Sequence, residues 1–396
     1  MSEYCTGNQL RLLCNGGEYF PALIAAIERA EFSVFLESYI CAADGSGRAV
    51  AKALMDAAQR GVSVYVIVDA FGTRHYFGKQ LPRQMLDAGV QLVHYRPSNP
   101  VGYFRRTQLR RLHRKLVLVD ATVGFVGGIN IIDDMNSPVL KPPRVDFAVE
   151  VRGPVLADFA ITAQRLWQVL RVSNPQLGPA ARLLSTYPAT GNQIAQLVLR
   201  DNLRNRRSIE NAYQSAISGA RQEVLIATAY FFPGLRMRRL LMQAALSGVR
   251  VRLLLQEKIE YRLLTHATKA LYGQLLETGI EVYEYHASFL HAKVAVVDGL
   301  WATVGSSNID PLSLLMAREA NLCVRDMAFV DELKTRIESL IMSGAKQVTL
   351  VDWQSRSLLT RLRHWAAYNW ARFLIGVFAY DGFGWLEGNR RHTPLQ

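Results

Sequence analysis

Cysteine is scarce in this chain: four residues in 396, at Cys5, Cys14, Cys41 and Cys323. None forms a C-x-x-C pair or stands beside a histidine cluster, so their spacing offers neither a disulfide framework nor a zinc site, and a reducing cytosolic setting fits. Also lacking is any run of about twenty uninterrupted apolar residues, so no membrane-spanning helix is expected. The opening Met1-Ser2-Glu3-Tyr4-Cys5-Thr6-Gly7-Asn8 has neither a basic n-region nor an apolar h-region, so no secretory leader is expected either. Acidic residues are outnumbered, 33 against 46 lysines and arginines, which leaves a formal charge of +13. That excess points to a polyanionic partner, either nucleic acid or an anionic membrane surface. At 50% hydrophobic content the chain can bury a large core and is long enough for two domains of ordinary size.

What the chain does carry is one polar pattern written twice. Leu112-His113-Arg114-Lys115, Asp120 and Gly127-Gly128-Ile129-Asn130 recur as Leu290-His291-Ala292-Lys293, Asp298 and Gly305-Ser306-Ser307-Asn308. In both copies the Lys lies two residues after the His, the Asp seven, the first Gly fourteen and the Asn seventeen. The flanks repeat as well: Phe35-Leu36-Glu37-Ser38-Tyr39 resembles Ile226-Ala227-Thr228-Ala229-Tyr230, and Gly61-Val62 and Gly89-Val90 have counterparts in Gly248-Val249 and Gly279-Ile280. Each half reads strand, helix, Gly, strand, helix, Gly, strand and then the His-bearing strand. This alternation predicts an α/β sandwich with helices over a largely parallel or mixed sheet. Residues 172–191, rich in Pro, Gly, Ser and Thr, are the expected linker. The domains are placed at 1–180 and 181–345, with a tail at 346–396.

On a strand alternate residues share a face, so each His projects beside its own Lys. Two such strands brought together put two imidazoles and two ammonium groups around one spot, which suits a phosphate. An imidazole is nucleophilic when neutral and an acid when protonated, and its ordinary pKa near 6.5 allows both forms near neutrality. One His can therefore attack a phosphodiester phosphorus while the other protonates the leaving alcohol and then deprotonates the acceptor. Lys115, Lys293, Asn130 and Asn308 are the candidates for the non-bridging oxygens. No metal or other cofactor is required. Asp146 and Glu319, in Arg144-Val145-Asp146-Phe147 and Arg318-Glu319-Ala320-Asn321, are the candidates to orient the histidines. Asp120 and Asp298 belong to the repeated pattern and are counted with its catalytic set, although their place before Ala121 and Gly299 favours a turn.

The two copies differ in their surroundings. The first carries about twelve extra residues just before its motif, because the offset between matched positions falls from 190 at Gly89 and Gly279 to 178 at His113 and His291. This insertion holds Tyr103, Phe104, Arg105, Arg106, Arg110 and Arg111, and reads either as a solvated loop or as a substrate or membrane contact. In the tail, Trp353, Trp365, Trp370 and Trp385 mix with arginines. Drawn as a helix, Leu362, Ala366, Trp370, Phe373 and Val377 line one side and Arg361, His364 and Arg372 the other. A helix over 365–380 would extend roughly 24 Å, short of the roughly 30 Å hydrocarbon core. Trp365, Trp370 and Phe373 then suit the headgroup interface, with packing on the second domain as the alternative.

His-x-Lys followed by Asp and by Gly-Gly-x-Asn or Gly-Ser-x-Asn resembles the signature of the phospholipase D superfamily. More closely, His113-Arg114-Lys115, Phe125-Val126-Gly127-Gly128-Ile129-Asn130, Ala229-Tyr230-Phe231-Phe232-Pro233-Gly234 and Trp301-Ala302-Thr303-Val304-Gly305-Ser306-Ser307-Asn308 resemble bacterial cardiolipin synthases of the shorter, B-type branch. The resemblance implies two tandem α/β sandwich domains related by a pseudo-twofold, with the active site at their interface. It also implies that a phosphatidyl group passes from one phosphatidylglycerol to another with release of glycerol, with His113 as nucleophile and His291 as acid and base. Ser306, which replaces Gly128, is expected to add a phosphate contact. The implied setting is the cytoplasmic side of a bacterial inner membrane, peripherally bound. A hydrolase or nuclease of the same superfamily is the competing reading; the aromatic tail argues against nucleic acid as the partner.

Overall fold

The computed structural model describes residues 3–96, 110–137, 139–181, 186–201, 205–310 and 317–379. The insertion residues Tyr103, Phe104, Arg105 and Arg106 lie outside them. A single sheet runs through both halves. The first half supplies, from its outer edge inward, Gln91–Tyr95, Ser63–Asp69, Ser33–Ser38, Lys115–Val119, Val123–Gly127, Phe147–Arg152 and Cys5–Cys14. The second continues with Gln193–Arg200, Ala317–Val324, Trp301–Gly305, Lys293–Val297, Glu223–Thr228, Arg250–Gln256 and Glu281–Tyr285, and Ala345–Val348 caps its edge. The order is therefore mirrored about the seam, where Cys5–Cys14 meets Gln193–Arg200 antiparallel through Cys5 to Ala195 and Asn8 to Gln193. Antiparallel pairing of equivalent strands is what a local twofold axis produces.

In each half three neighbouring strands run parallel, because helical crossovers join them, and Ala345–Val348 adds an antiparallel edge to the second. The strand that begins at each motif's Lys, two residues after the His, instead turns back directly on its neighbour, so it pairs antiparallel on both sides. The helices Gly45–Gln59, Gln80–Asp87, Leu235–Leu246 and Tyr272–Glu277 each end just before a glycine at positive φ: Gly61, Gly89, Gly248 and Gly279, at 86° to 93°. A side chain would be strained there, which explains the repeated glycine punctuation.

Leu12, Val149, Phe159, Trp167, Leu197, Leu322 and Leu333 belong to one core that crosses the seam, and each half adds a core of its own under its crossover helices. The segment expected as a linker is strapped down in its described part. The helix Leu156–Ser173 runs into it, Trp167 Nε1 donates to Gly178 O (3.1 Å) and Tyr65 OH to Pro179 O (3.0 Å).

The tail helix spans Leu358–Ala379, beginning before the expected Trp365. It packs on the second half: Ala367 and Ala371 are buried, Arg238 donates to Tyr368 OH (3.2 Å), and the His364 ring stacks between His266 and Trp353, with centroids at 5.3 and 5.6 Å. Trp365, Trp370 and Phe373 face outward. Burial pulls the His364 pKa down to about 4, helped by nearby Arg356 and His266. A histidine whose pKa is depressed by folding stabilises the docked state above its unfolded value, near 6.5, and that contribution is lost as pH falls toward 4. Proteolysis of the tail is therefore expected to accelerate between pH 6.5 and 4 with the rest of the chain intact, and His364→Gln is expected to flatten this dependence. An unchanged profile in that variant would remove His364 as the cause.

Candidate active site

The two His-x-Lys segments meet because each is hung on the other half. Arg111–Leu112 pairs parallel with Ala317 and Arg318, and His113 N donates to Arg318 O (3.0 Å). Reciprocally, Phe289–Leu290 pairs parallel with Arg144–Val145, and His291 N donates to Val145 O (2.7 Å). Glu319 follows Arg318 and Asp146 follows Val145, so the carboxylates cross the seam with their strands. His113 Nδ1 lies 3.0 Å from Glu319 Oε1, and His291 Nδ1 lies 2.5 Å from Asp146 Oδ2. Both acids are fully buried, and the two rings keep only 17% and 11% of their side-chain surface exposed.

The lysines sit beneath the rings. Lys115 Nζ donates to His113 O (2.6 Å), and Lys293 Nζ donates to His291 O, 2.9 Å from His291 Nδ1 and 3.6 Å from Asp146. Burial, opposed by Glu319 and aided by nearby Lys293, brings the Lys115 ammonium down to about 7. Lys293 is lowered as well, again chiefly by burial. Burial, then the positive charges of Lys293, Arg144 and Lys115, hold His291 well below the usual histidine range, so its ring is neutral at neutral pH. Burial pushes Asp146 up. A centre this positive and this dry is short of an anion, and a phosphate diester would supply one.

Asn130 and Asn308 are both buried, and Asn130 Oδ1 accepts from Ile40 N (3.1 Å), which leaves its NH2 as the donor end. Three expectations are corrected. Asp120 accepts from the backbone N–H groups of Glu31, Phe32 and Ser33, and Asp298 from those of Arg221, Gln222 and Glu223, all within 2.7–2.9 Å. They stand at the far ends of their strands, five residues or roughly 16 Å beyond the lysines. They are turn-formers, not members of the catalytic set. Ser306 does not face a phosphate site either: its hydroxyl is wholly buried and donates to Glu319 Oε2 (2.5 Å), positioning the acid that holds His113. Arg111 lies 3.7 Å from Asp69 and 5.0 Å from the Phe71 ring, so it packs inward instead of reaching for lipid. Arg110 is half-buried.

Several site residues escaped the reading of the sequence. Asp69 Oδ2 accepts from Leu112 N (2.9 Å) and Gln256 Oε1 from Leu290 N (2.7 Å), so the residue before each His is anchored to the same position of the repeat. Tyr39 lies 4.8 Å from the His113 ring, and its ring faces Lys115 Nζ at 5.5 Å. Its counterpart Tyr230 donates to Glu260 (2.5 Å). Arg114 makes a buried two-pronged pair with Glu37 at 2.5 and 2.8 Å. The register of the two halves was the available signal for Asp69, Gln256, Tyr39 and Tyr230. A cavity of 780 Å³ lined by Tyr4, Arg165, Asn211, Asp298, Trp301 and Arg325 lies at the far ends of the strands, away from the histidines.

A mirrored α/β sheet carrying two His-x-Lys motifs at its seam defines the phospholipase D class of phosphodiester enzymes. Residues 23–137 and 213–341 each match the family model described as "Cardiolipin synthase, PLD-like domain". The chain is 35% identical over 98% of its length to cardiolipin synthase B of Salmonella typhi, covering 92% of that protein, and 33% identical to cardiolipin synthase B of Escherichia coli K12 with the same coverage. It belongs to the cardiolipin synthase family of phospholipase D-like proteins. Among solved structures, phosphatidylserine synthase of Haemophilus influenzae superposes with a TM-score of 0.67 over 94% of this chain and 95% of that one at 13% identity, a likeness of fold.

The reassignment of Asp120 is open to measurement. Asp120→Ala removes the acceptor of three backbone N–H groups and is expected to cost about 2 kcal/mol of stability in urea unfolding. Turnover per folded molecule is expected to stay within about twofold of the parent. A fully folded variant with turnover reduced a hundredfold would restore Asp120 to the chemistry.

Proposed function

We propose that this protein is a cardiolipin synthase that transfers a phosphatidyl group between two phosphatidylglycerol molecules. The observation that carries the reading is the reciprocal centre, in which each histidine is held through Nδ1 by the other half's carboxylate, leaving Nε2 of each ring for chemistry. The near full-length similarity to cardiolipin synthase B supports the choice of substrate.

His113 Nε2 attacks the phosphorus of the first lipid. A P–N bond forms, the P–O bond to the headgroup glycerol breaks, and protonated His291 delivers its proton to the leaving oxygen. The primary hydroxyl of a second phosphatidylglycerol then gives its proton to His291 and attacks the phosphohistidine, closing a P–O bond as P–N breaks. Lys115, Lys293 and the NH2 groups of Asn130 and Asn308 hold the non-bridging oxygens while charge moves onto them. Glu319 and Asp146 stabilise whichever ring is cationic, so the neutral resting state of His291 changes once an anionic phosphate arrives. The order, with His113 first, follows the family resemblance. The site of action is the cytoplasmic face of a bacterial inner membrane, where the chain binds peripherally.

Mass spectrometry of products from phosphatidylglycerol in detergent is expected to find cardiolipin and glycerol, with at least roughly a thousandfold loss in His113→Ala. An alkaline quench is expected to place the phosphoryl label on His113; label on His291 reverses the order. Phosphatidic acid without cardiolipin would make the protein a hydrolase, and DNA cleavage lost in His113→Ala with no lipid turnover would make it a nuclease, the reading its +13 charge favours.

The Lys115 ammonium gives a pH prediction. Below about 7 it is charged in the empty site; above 7 it must regain a proton before it can bind an anion. Inhibition by sulfate, whose own charge is constant in this range, is expected to weaken by about tenfold per unit as pH rises above 7. Lys115→Arg is expected to remove the slope; a parent profile flat to pH 9 would disprove the assignment.

A further inference from the structure

The tail helix Leu358–Ala379 has two faces of unlike character. Its inner face, His364, Ala367, Tyr368 and Ala371, is used against the second half. Its outer face presents Leu358, Leu359, Leu362, Trp365, Trp370 and Phe373, with Leu358 80% and Trp365 62% exposed, and one polar residue among them, Asn369, whose side chain donates to Trp365 O (2.8 Å). A soluble surface helix has the opposite arrangement, apolar residues inward and polar residues outward. At 3.6 residues per turn, exposed Arg361 and Arg372 fall along one border of the apolar face and Arg363 along the other.

We infer that this outer face is the surface by which the protein seats on an anionic phospholipid bilayer, with the helix lying in the plane of the interface. The inference rests on the phospholipid substrate proposed above and adds the element that brings the site to it. Among the described residues no helix is long and apolar enough to cross a membrane, so the face lies on the bilayer and does not span it. Trp365, Trp370 and Phe373 bring the aromatic rings that favour the headgroup layer, and the arginine borders match its negative charge. A second copy of the chain is a poorer occupant. A twofold contact would set arginine borders of one copy near those of the other in a protein that carries +13.

The tail helix is also connected to the second motif. The helix Arg262–Lys269 lies directly beneath the tail helix through the His266 and His364 stack. The residue before it, exposed Tyr261, lies 6.3 Å from the Tyr230 ring. Ala229, next to Tyr230, donates its N–H to the carbonyl of Ala292, next to His291 (2.9 Å). A continuous chain of contacts therefore links the docked tail helix to the rim of the second motif.

The full chain would be sedimented with phosphatidylcholine vesicles and with vesicles containing phosphatidylglycerol, beside Leu358→Gln/Leu359→Gln/Leu362→Gln. Because these side chains are exposed, the variant is expected to keep the parent's Tm while its binding to phosphatidylglycerol vesicles falls at least about tenfold. Arg361→Gln/Arg363→Gln is expected to narrow the preference for phosphatidylglycerol over phosphatidylcholine. A triple variant that binds vesicles like the parent overturns the inference, as does one that passes from dimer to monomer with vesicle binding unchanged, which would assign the face to a second copy. Sedimentation is read without turnover, so a parent that binds vesicles through this face but makes no cardiolipin would sink the reaction and leave the docking surface standing.

Discussion

Each histidine of this protein is held, backbone and ring, by the opposite half, and the rest of the site depends on that exchange. His113 hangs on Arg318 O and Glu319, His291 on Val145 O and Asp146. Neither half alone therefore contains a complete histidine and carboxylate pair. The exchange also solves an electrostatic problem. Buried ammonium groups and imidazoles are costly to charge, and here two carboxylates face two lysines, two histidines and the neighbouring Arg144 and Arg200. Burial is what lowers Lys115 and Lys293, and an incoming phosphodiester would favour their charged forms. Substrate charge is thus part of what makes the centre stable.

The twofold is kept in the scaffold and broken in the side chains. Asp69 and Gln256 perform one task, accepting the N–H before each His, with different chemistry. Gly128 and Ser306 show why the acids differ: a Cβ at Gly128 would fall 2.2 Å from Asp146 Oδ1, so the short acid occupies that space. On the other side the longer Glu319 reaches its histidine with Ser306 hydrogen-bonded to it. The buried Arg114 and Glu37 pair has only Ala292 and Thr228 at the matched places. The first motif is consequently anchored by an ion pair and the second by apolar packing.

The α/β class, the duplication and the paired centre were legible because repetition at fixed spacing marks both fold and site. The same signal counted Asp120 and Asp298 with the catalytic set, although their place before Ala121 and Gly299 already favoured the turn they form. A residue repeated at a constant offset is constrained, but the constraint here is three backbone N–H groups to satisfy in a turn. Asp146 and Glu319 were found as candidates, yet their crossing between halves depends on strand pairing across the seam, which no spacing along the chain encodes. Ser306 was misread because a hydroxyl beside a phosphate site looks like a ligand until its burial against Glu319 is known. In the tail, periodicity separated an apolar side from a basic one. It could not reveal that small residues and a histidine would pack inward and leave the tryptophans outside.

Transfer instead of hydrolysis is the hardest demand on the proposed reaction. One phosphodiester of a primary alcohol is exchanged for another, so little free energy separates donor from product, and water is the competitor the site must disfavour. Both rings are mostly covered by protein, and Tyr39 closes over His113 at 4.8 Å, which limits water at the phosphohistidine. Coverage alone would slow the second lipid as much as water. In the proposed seating on a bilayer the acceptor lipid is concentrated at the protein surface while bulk water is not, which shifts that balance. The enclosed centre and the outward apolar helix are two parts of one requirement: exclude the small competitor and present the large acceptor.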